Sequence, residues 1–381
     1  LKAAYVFDDQ DAADFSRFMS KYRFFSQVWG HVWEKEGSAA SMITQVTNHH
    51  AQQRLDYVEY RAGVWGTAEE QIGRMRTCLE TLQAVSDKAF TAKYISPIPR
   101  DPTQEITIAR WQAIVGLLKR YPHLAKTFVG IDFASMEEGF PPKAQRPFFE
   151  TLHAFNQKNP QLKLDAVYHV GESYYDKSLE SAIRWCHEAS QLGVKRVGHC
   201  IALGLDPAVA IARQPQAHET ELVSERLDQI DYDLHYQTQL IQYDILVNQT
   251  ALLDEQAALK QRDPADFDER SYSPGRLEEV RQRQNFVLDE FVKSSMVIES
   301  CPTSNLRIGG VPEQKHHPIF NFLNSKVNVV VCADDPGIFD ITLADEVDWI
   351  IDNSTWTQAS LEKRLGDPRR FRLGKSREAA A

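Results

Sequence analysis

Short apolar segments alternate with segments of helical period from about residue 55 onward. The apolar segments are DYVEYRAG (56–63), FTAKYISPI (90–98), TFVGIDFAS (127–135), LKLDAVYHVGE (162–172), VKRVGHC (194–200), SMVIES (295–300) and KVNVVVCADD (326–335). Between most of them lie segments such as ITIARWQAIVGLLKRY (106–121), whose apolar residues recur at helical spacing. Alternation of nearly continuous apolar strands with helices predicts an α/β protein with a parallel sheet covered by helices.

The number of predicted strands narrows the fold class. Seven strands are present, whereas a TIM-type (β/α)8 barrel has eight. A doubly wound open sheet is the alternative, but no Gly-rich phosphate turn follows a first strand. We therefore expect a TIM-type barrel whose first strand is missing from this sequence.

Two regions interrupt the alternation. Residues 1–55 have helical periodicity and no strand, and residues 205–275 form a long Gln- and Asp-rich segment with apolar residues at helical spacing. We interpret the second region as a helical insertion between the sixth and seventh strands of the barrel. The predicted organisation is a barrel domain over 1–204 and 276–381, the latter ending in helices, with the insertion at 205–275.

Composition limits the class of protein. The 381 residues carry a formal net charge of −10, which argues against a surface that coats nucleic acid. No apolar run approaches the roughly 20 residues that cross a bilayer. Five cysteines, with no Cys-x-x-Cys pair, fit reduced thiols better than a disulfide framework. We expect a cytoplasmic protein that binds neither membrane nor nucleic acid.

The candidate chemistry lies at the carboxyl ends of the predicted strands, where barrel active sites form. These ends carry His169, Glu172, His199, Asp334 and Asp335. Taken singly, a histidine there is more often structural, and Asp335 before Pro336 could simply cap a helix. Taken together, imidazole and carboxylate groups are the ligands that zinc prefers.

The spacing of His169 and Glu172 raises a separate point. Residues three apart point to opposite faces of a straight strand. We expect Gly171 to bend the chain so that both side chains face one centre.

Four motifs in order resemble the signature of the adenosine deaminase family of metal-dependent amidohydrolases. They are HVGE (169–172), RVGHC (196–200), SCPTSN (300–305) and CADDPGIF (332–339), with weaker matches at YVEYRAG (57–63) and GIDFAS (130–135). The resemblance covers roughly residues 15–350, apart from the insertion.

The resemblance implies one zinc ion per chain and a role for each candidate residue. His169 and Asp334 would be zinc ligands, and Asp334 would also take the proton of the attacking water. Glu172 would be the protonated acid that donates to the purine ring nitrogen, and His199 would orient the attacking hydroxide. Asp335 would bind the imidazole edge of the purine. The position of the carboxylated lysine found in two-metal amidohydrolases holds no lysine here, which favours a single metal.

Two departures from the family pattern qualify this expectation. The family's first strand supplies a His-x-His pair of zinc ligands, and no His-x-His occurs in this sequence. The simplest interpretation is that this strand lies upstream of Leu1; the alternative is a catalytically idle, deaminase-like scaffold. In addition, Ser135 stands where the family usually has a glycine whose amide contacts the purine. Ser135 and Gly171 are therefore expected at the substrate.

The expected activity is zinc-dependent hydrolytic deamination of an adenine nucleoside or nucleotide to the inosine form, with release of ammonia. The insertion could be a lid, a substrate-selecting wall or an assembly surface. Relatives with large insertions include nucleotide deaminases, some in bacterial antiviral systems, and many form oligomers, so we expect a homo-oligomer. Arg100, Arg146 and Lys177 are candidate phosphate partners by position, although a charged residue at such a position is more often a simple surface charge.

Overall fold

The computed structural model describes residues 2–11, 15–213, 220–308 and 310–375, and its centre is a curled parallel sheet. The strands of this sheet are β1 (Tyr57–Arg61), β2 (Thr91–Pro97), β3 (Phe128–Phe133), β4 (Asp165–Val170), β5 (Arg196–His199), β8 (Val297–Ser300) and β9 (Asn328–Val331). Their order is β1-β2-β3-β4-β5-β8-β9, and every neighbouring pair is parallel. Each strand falls within a segment predicted from the sequence, so the α/β class and the parallel sheet are confirmed.

Helices surround this sheet and occupy the two regions that interrupt the strand–helix alternation. The α-helices are Lys2–Tyr5, Phe15–Val32, Ser38–Gln52, Ala68–Val85, Glu105–Arg120, Arg146–Lys158, Leu179–Ser190, Ile201–Gly204, Pro207–Arg213, Val223–His235, Gln237–Ile241, Gln249–Leu259, Pro274–Lys293, Pro302–Arg307, Ile319–Asn324, Pro336–Phe339, Leu343–Asp352 and Gln358–Leu365. Short 3-10 helices cover Pro122–Lys126, Pro142–Gln145, Pro160–Leu162, Gln314–His316 and Pro368–Phe371. Residues 205–275 also contain a two-stranded antiparallel ladder of β6 (Thr220–Leu222) and β7 (Phe267–Glu269), which helical spacing did not indicate.

Side-chain caps set where several helices begin. Ser178 accepts a hydrogen bond from the amide of Ser181 and caps the helix Leu179–Ser190. Glu180, in the first turn of that helix, is buried and pairs instead with Arg276 at 2.6 Å. This pair joins the start of the helix Pro274–Lys293 to the barrel.

The helix Phe15–Val32 contacts the segments that follow β1 and β9, the two outer strands of the sheet. Near the start of the helix, the Phe18 ring stacks on Phe339 after β9, with centroids 5.9 Å apart. Near its end, Trp29 Nε1 donates to the carbonyl of Gly63 after β1 at 3.0 Å. The helix thus spans the side on which β1 and β9 are the outer strands.

The C-terminal segment closes the opposite end of the sheet. Leu373 packs against Ile95, Val129 and Val167, and the Phe371 carbonyl accepts a hydrogen bond from Arg196 at 2.8 Å. The open end is therefore the one where the candidate residues lie. Within the described residues, no helix is both long and apolar enough to cross a membrane.

Candidate active site

The strand ends bring the predicted histidines and Glu172 together. His169 lies near the end of β4 and His199 is the last residue of β5. Their ring centroids are 5.1 Å apart, and His199 Nε2 lies 3.6 Å from Glu172 Oε2. His199 is buried, whereas Glu172 is partly exposed. The three side chains therefore form one cluster at the open end of the sheet.

Left-handed backbone turns follow the strands and direct these side chains. Gly171 has φ 67°, His199 has φ 61° and Asp334 has φ 54°. A Cβ on Gly171 would lie 2.6 Å from Cys186 Sγ, a distance that real Cβ atoms do not tolerate. Gly171 therefore makes the bend that the spacing of His169 and Glu172 predicted.

Ser135 occupies an unfavourable backbone conformation. Its φ is 85°, in the region that glycine adopts readily and other residues enter at a cost. Its carbonyl accepts a hydrogen bond from Arg100 Nη1 at 2.7 Å. The conformation explains why a glycine is expected at this position and locates the strain that the serine introduces.

The adjacent carboxyl groups of Asp334 and Asp335 have different environments. Asp334 is exposed and accepts a hydrogen bond from Ser304 Oγ at 2.6 Å. Burial, together with the charges of Asp334 and Glu172, raises the pKa of Asp335 to about 8. A carboxyl group that retains its proton near neutrality reduces the repulsion between the neighbouring acids.

The residues around Asp334 fit a metal ion. Ligand atoms of His199, Cys301 and Asp334 all lie within 4.8 Å of one another in the described part of the chain. Imidazole, thiolate and carboxylate are donors to zinc. Cys301 was not among the sequence candidates, although its place directly after β8, in SCPTSN, could have suggested it.

His169 lies outside that group and has a carboxylate partner of its own. Its Nδ1 lies 3.0 Å from Asp132 Oδ1, and Asp132 is fully buried on β3. Burial lowers the pKa of His169, but the Asp132 carboxylate outweighs this effect and raises it to about 9. A carboxylate behind a histidine fixes the orientation of the ring, an arrangement common around metal ligands.

Asp132 belongs to a network of buried charges inside the sheet. Arg61 Nε donates to Asp132 Oδ2 and Arg61 Nη2 donates to Glu299 Oε2, both at 2.5 Å. Arg196 donates to Glu299 Oε1 at 2.5 Å and also pairs with Glu59. The sequence signal for this network is the presence of charged residues inside predicted buried strands.

A second buried carboxylate holds the loop that carries Glu172. Glu137 accepts hydrogen bonds from the amides of Gly171 at 2.9 Å and Ser173 at 2.6 Å. Burial raises the pKa of Glu137 to about 7. These two bonds flank Glu172 and limit how far its backbone can move.

Two of the three candidate phosphate partners are engaged by the protein itself. Arg100 donates to the carbonyls of Phe133, Ser135 and His169. Lys177 is buried, pairs with Asp176 and lies 3.9 Å from the centre of the Trp185 ring.

Comparisons with known proteins find sequence similarity to adenosine deaminases over short segments of the chain. Residues 280–365 match the sequence model of the adenosine deaminase family. A 60-residue segment is 40% identical to the "Adenosine deaminase" of Shewanella denitrificans, and a 59-residue segment is 34% identical to the "Adenosine deaminase-like protein" of Drosophila melanogaster. Each match covers 16% of this chain and only 18% of the relative.

The solved structures show a shared fold over most of the chain. The Arabidopsis N6-mAMP deaminase MAPDA has a TM-score of 0.55 at 13% identity, over 95% of this chain and 81% of that one. The Arabidopsis protein ADAL complexed with GMP gives the same TM-score and identity, over 95% and 80%. The chain therefore shares the fold of these deaminases, and residues 280–365 carry the sequence match to the adenosine deaminase family.

Proposed function

We propose that this protein hydrolytically deaminates an adenine nucleoside or nucleotide to its inosine form and releases ammonia. The observation that carries the proposal is the convergence of His169, Glu172 and His199 at the ends of β4 and β5. Asp334 and Asp335, after β9, complete the set of groups that such a reaction needs.

Each of these residues has a role in the proposed reaction. Asp334 accepts a proton from the attacking water, whose oxygen forms a bond to the amine-bearing ring carbon. Glu172 donates a proton to the neighbouring ring nitrogen, because attack on an aromatic ring without protonation is costly. The carbon–nitrogen bond then breaks as the proton held by Asp334 passes to the amine, which leaves as ammonia. The proton of the new hydroxyl group returns to Glu172. Asp335 binds the imidazole edge of the purine, and the backbone at Gly171 and Ser135 lines the substrate.

The residues present fit one zinc ion. His169 and Asp334 would hold it, and a ligand atom of Cys301 lies within 4.8 Å of one on Asp334. A bound zinc ion supplies a water of lowered pKa and stabilises negative charge on oxygen. Asp132 fixes the His169 ring, and Ser304 holds one oxygen of Asp334.

The substrate could be a nucleoside or its phosphorylated form, a nucleotide. The structural relatives are described as an N6-mAMP deaminase and as ADAL complexed with GMP, which makes a nucleoside monophosphate a candidate substrate. Because Arg100 and Lys177 are engaged, a phosphate would need other partners, of which exposed Arg146 is one. The free cysteines fit the proposed cytoplasmic location.

The test is ammonia release by the complete, zinc-loaded protein with adenosine, deoxyadenosine, AMP and ATP side by side. We expect turnover of at least one, and a loss of about 10²-fold or more in Asp334→Ala and Glu172→Gln. Asp254→Asn, on the exposed face of the insertion, is the matched control and should retain full activity. No turnover with any substrate would favour the alternative of an idle scaffold.

We also propose that residues 205–275 form an assembly surface. Leu246 is 86% exposed and Ile241, in the same segment, is 53% exposed. Exposure of these apolar side chains to water is unfavourable unless a partner covers them. Leu246→Asp should lower the molar mass measured by light scattering. Ile106→Asp is the control, since Ile106 is similarly exposed on a barrel helix. An unchanged mass in Leu246→Asp would contradict this proposal.

A further inference from the structure

A chain of buried hydrogen bonds runs from the start of a helix to His199. The amide of Ile319 donates to His317 Nδ1 at 3.1 Å. His317 Nε2 lies 3.3 Å from the side-chain amide of Asn305, whose other end lies 2.8 Å from His199 Nδ1. His199, Asn305 and His317 are all at most 2% exposed, so water does not compete for these bonds.

The start of this chain sets the protonation of His317. A backbone amide can only donate, so His317 Nδ1 must be an acceptor and carries no proton. A neutral imidazole has one N–H, which must then be on Nε2 and points at Asn305. Burial, and secondarily the proximity of His199, lower the pKa of His317 to about 3, which agrees with a neutral ring.

The proton on His317 sets the orientation of Asn305. In the structure, Asn305 Nδ2 faces His317 and Oδ1 faces His199. That orientation would place two N–H groups against each other at His317. A half-turn of the amide exchanges two groups of nearly equal size and removes the conflict. The oxygen then accepts from His317 and the NH2 group donates to His199 Nδ1.

We infer that His199 carries its proton on Nε2 and presents it to the reaction centre as a hydrogen-bond donor, and that Asn305 and His317 are positioning residues that hold this tautomer. A neutral His199 of this form has no lone pair on Nε2, and its Nδ1 is bound to Asn305. Within the group of His199, Cys301 and Asp334, only Cys301 and Asp334 then remain as metal ligands. His199 Nε2 lies 3.6 Å from Glu172 Oε2, on the side where the reacting groups meet.

His169 has the opposite partner and therefore the opposite tautomer in its neutral form. Asp132 is paired with Arg61 and can only accept, so His169 carries its proton on Nδ1 and leaves Nε2 free to bind a metal. Two histidines whose rings lie 5.1 Å apart thus differ in role because one faces a carboxylate and the other faces an amide donor. The consequence for catalysis rests on the proposed deamination, whereas the tautomer itself does not.

The decisive measurement is a long-range ¹H–¹⁵N correlation spectrum of the complete protein labelled with ¹⁵N-histidine. His199 and His317 signals would be assigned through ring-proton contacts and checked with His199→Asn. We expect both residues to show a protonated Nε2 and an unprotonated Nδ1. A protonated Nδ1 on His199 would overturn the inference, whether or not the protein releases ammonia.

A variant tests the role of Asn305. In Asn305→Asp, a carboxylate of equal size accepts at both ends, so His199 should switch its proton to Nδ1. We expect kcat for ammonia release to fall about 10²-fold, the usual cost of losing one preorganised donor. Asn285→Asp, an exposed substitution on another helix, is the control. A switched tautomer with unchanged kcat would show that the Nε2 donor is not used. If Asn305→Asp does not fold, the wild-type spectrum still decides the tautomer.

Discussion

The substitution Asp132→Asn tests how the buried network prepares His169. Arg61 Nε, 2.5 Å from Asp132 Oδ2, can only donate. In the variant, the oxygen of the new side-chain amide would therefore face Arg61, and its NH2 group would face His169 Nδ1. His169 would have to accept at Nδ1 and move its proton to Nε2, the nitrogen that the proposed metal site needs.

The expected effect is large on metal binding and smaller on folding. Loss of the partner behind a metal-binding histidine typically costs 10- to 100-fold in affinity, or about 1.4–2.7 kcal/mol. Arg61 keeps its second carboxylate, Glu299, at 2.5 Å, so no buried charge is left without a partner. The variant should therefore fold and bind zinc weakly.

The assay is competition between the complete protein and a zinc chelator of known affinity, with urea unfolding as a check on folding. Asp254→Asn makes the same chemical change on an exposed helix and should bind zinc like the wild type. If Asp132→Asn folds and its zinc affinity stays within twofold of the wild type, the argument that Asp132 prepares His169 is wrong.

Three further predictions concern strain, buried charge and pH. Ser135→Gly should raise the free energy of unfolding by up to ~1 kcal/mol, because relief of the strained left-handed backbone exceeds the entropic cost of glycine. Ser135→Ala keeps the Cβ and should bring no such gain. Arg61→Met removes the hydrogen bonds that Arg61 donates to two buried carboxylates, although Asp132 keeps His169 and Glu299 keeps Arg196. The loss in urea unfolding should be about 1.5–3 kcal/mol, with Arg61→Lys costing less. A loss below 1 kcal/mol in Arg61→Met would refute the network's role. Burial lowers the pKa of His187 to about 4, below the ~6.5 of a histidine in an unfolded chain. Because the unfolded state binds more protons between these two values, the free energy of unfolding should decrease by up to ~3 kcal/mol as the pH falls from 6.5 to 4. His187→Gln should flatten this dependence in unfolding experiments over that pH range, whereas His31→Gln, at an exposed histidine, should leave it unchanged.

Local patterns in the sequence were sufficient to predict the strands and the end of the sheet at which the candidate residues lie. Apolar periodicity, helix caps and turn residues act over a few neighbours, so the strands of the central sheet and the bend at Gly171 could be predicted from short segments. The carboxyl ends of parallel strands lie at one edge of a sheet. The motifs at those ends therefore predicted which side chains would meet there.

Partnerships between distant residues were decided only by the tertiary structure. Arg61 and Asp132 are 71 residues apart, and His199 and Asn305 are 106 apart. Alternation along a strand shows which face a side chain occupies, but not which charge or donor it meets across the sheet. The ladder of β6 and β7 escaped prediction for the same reason, since it joins two short segments across the insertion. The sequence by itself thus determined which candidate side chains gather at the strand ends. The partners behind each histidine, on which its tautomer depends, were determined by packing.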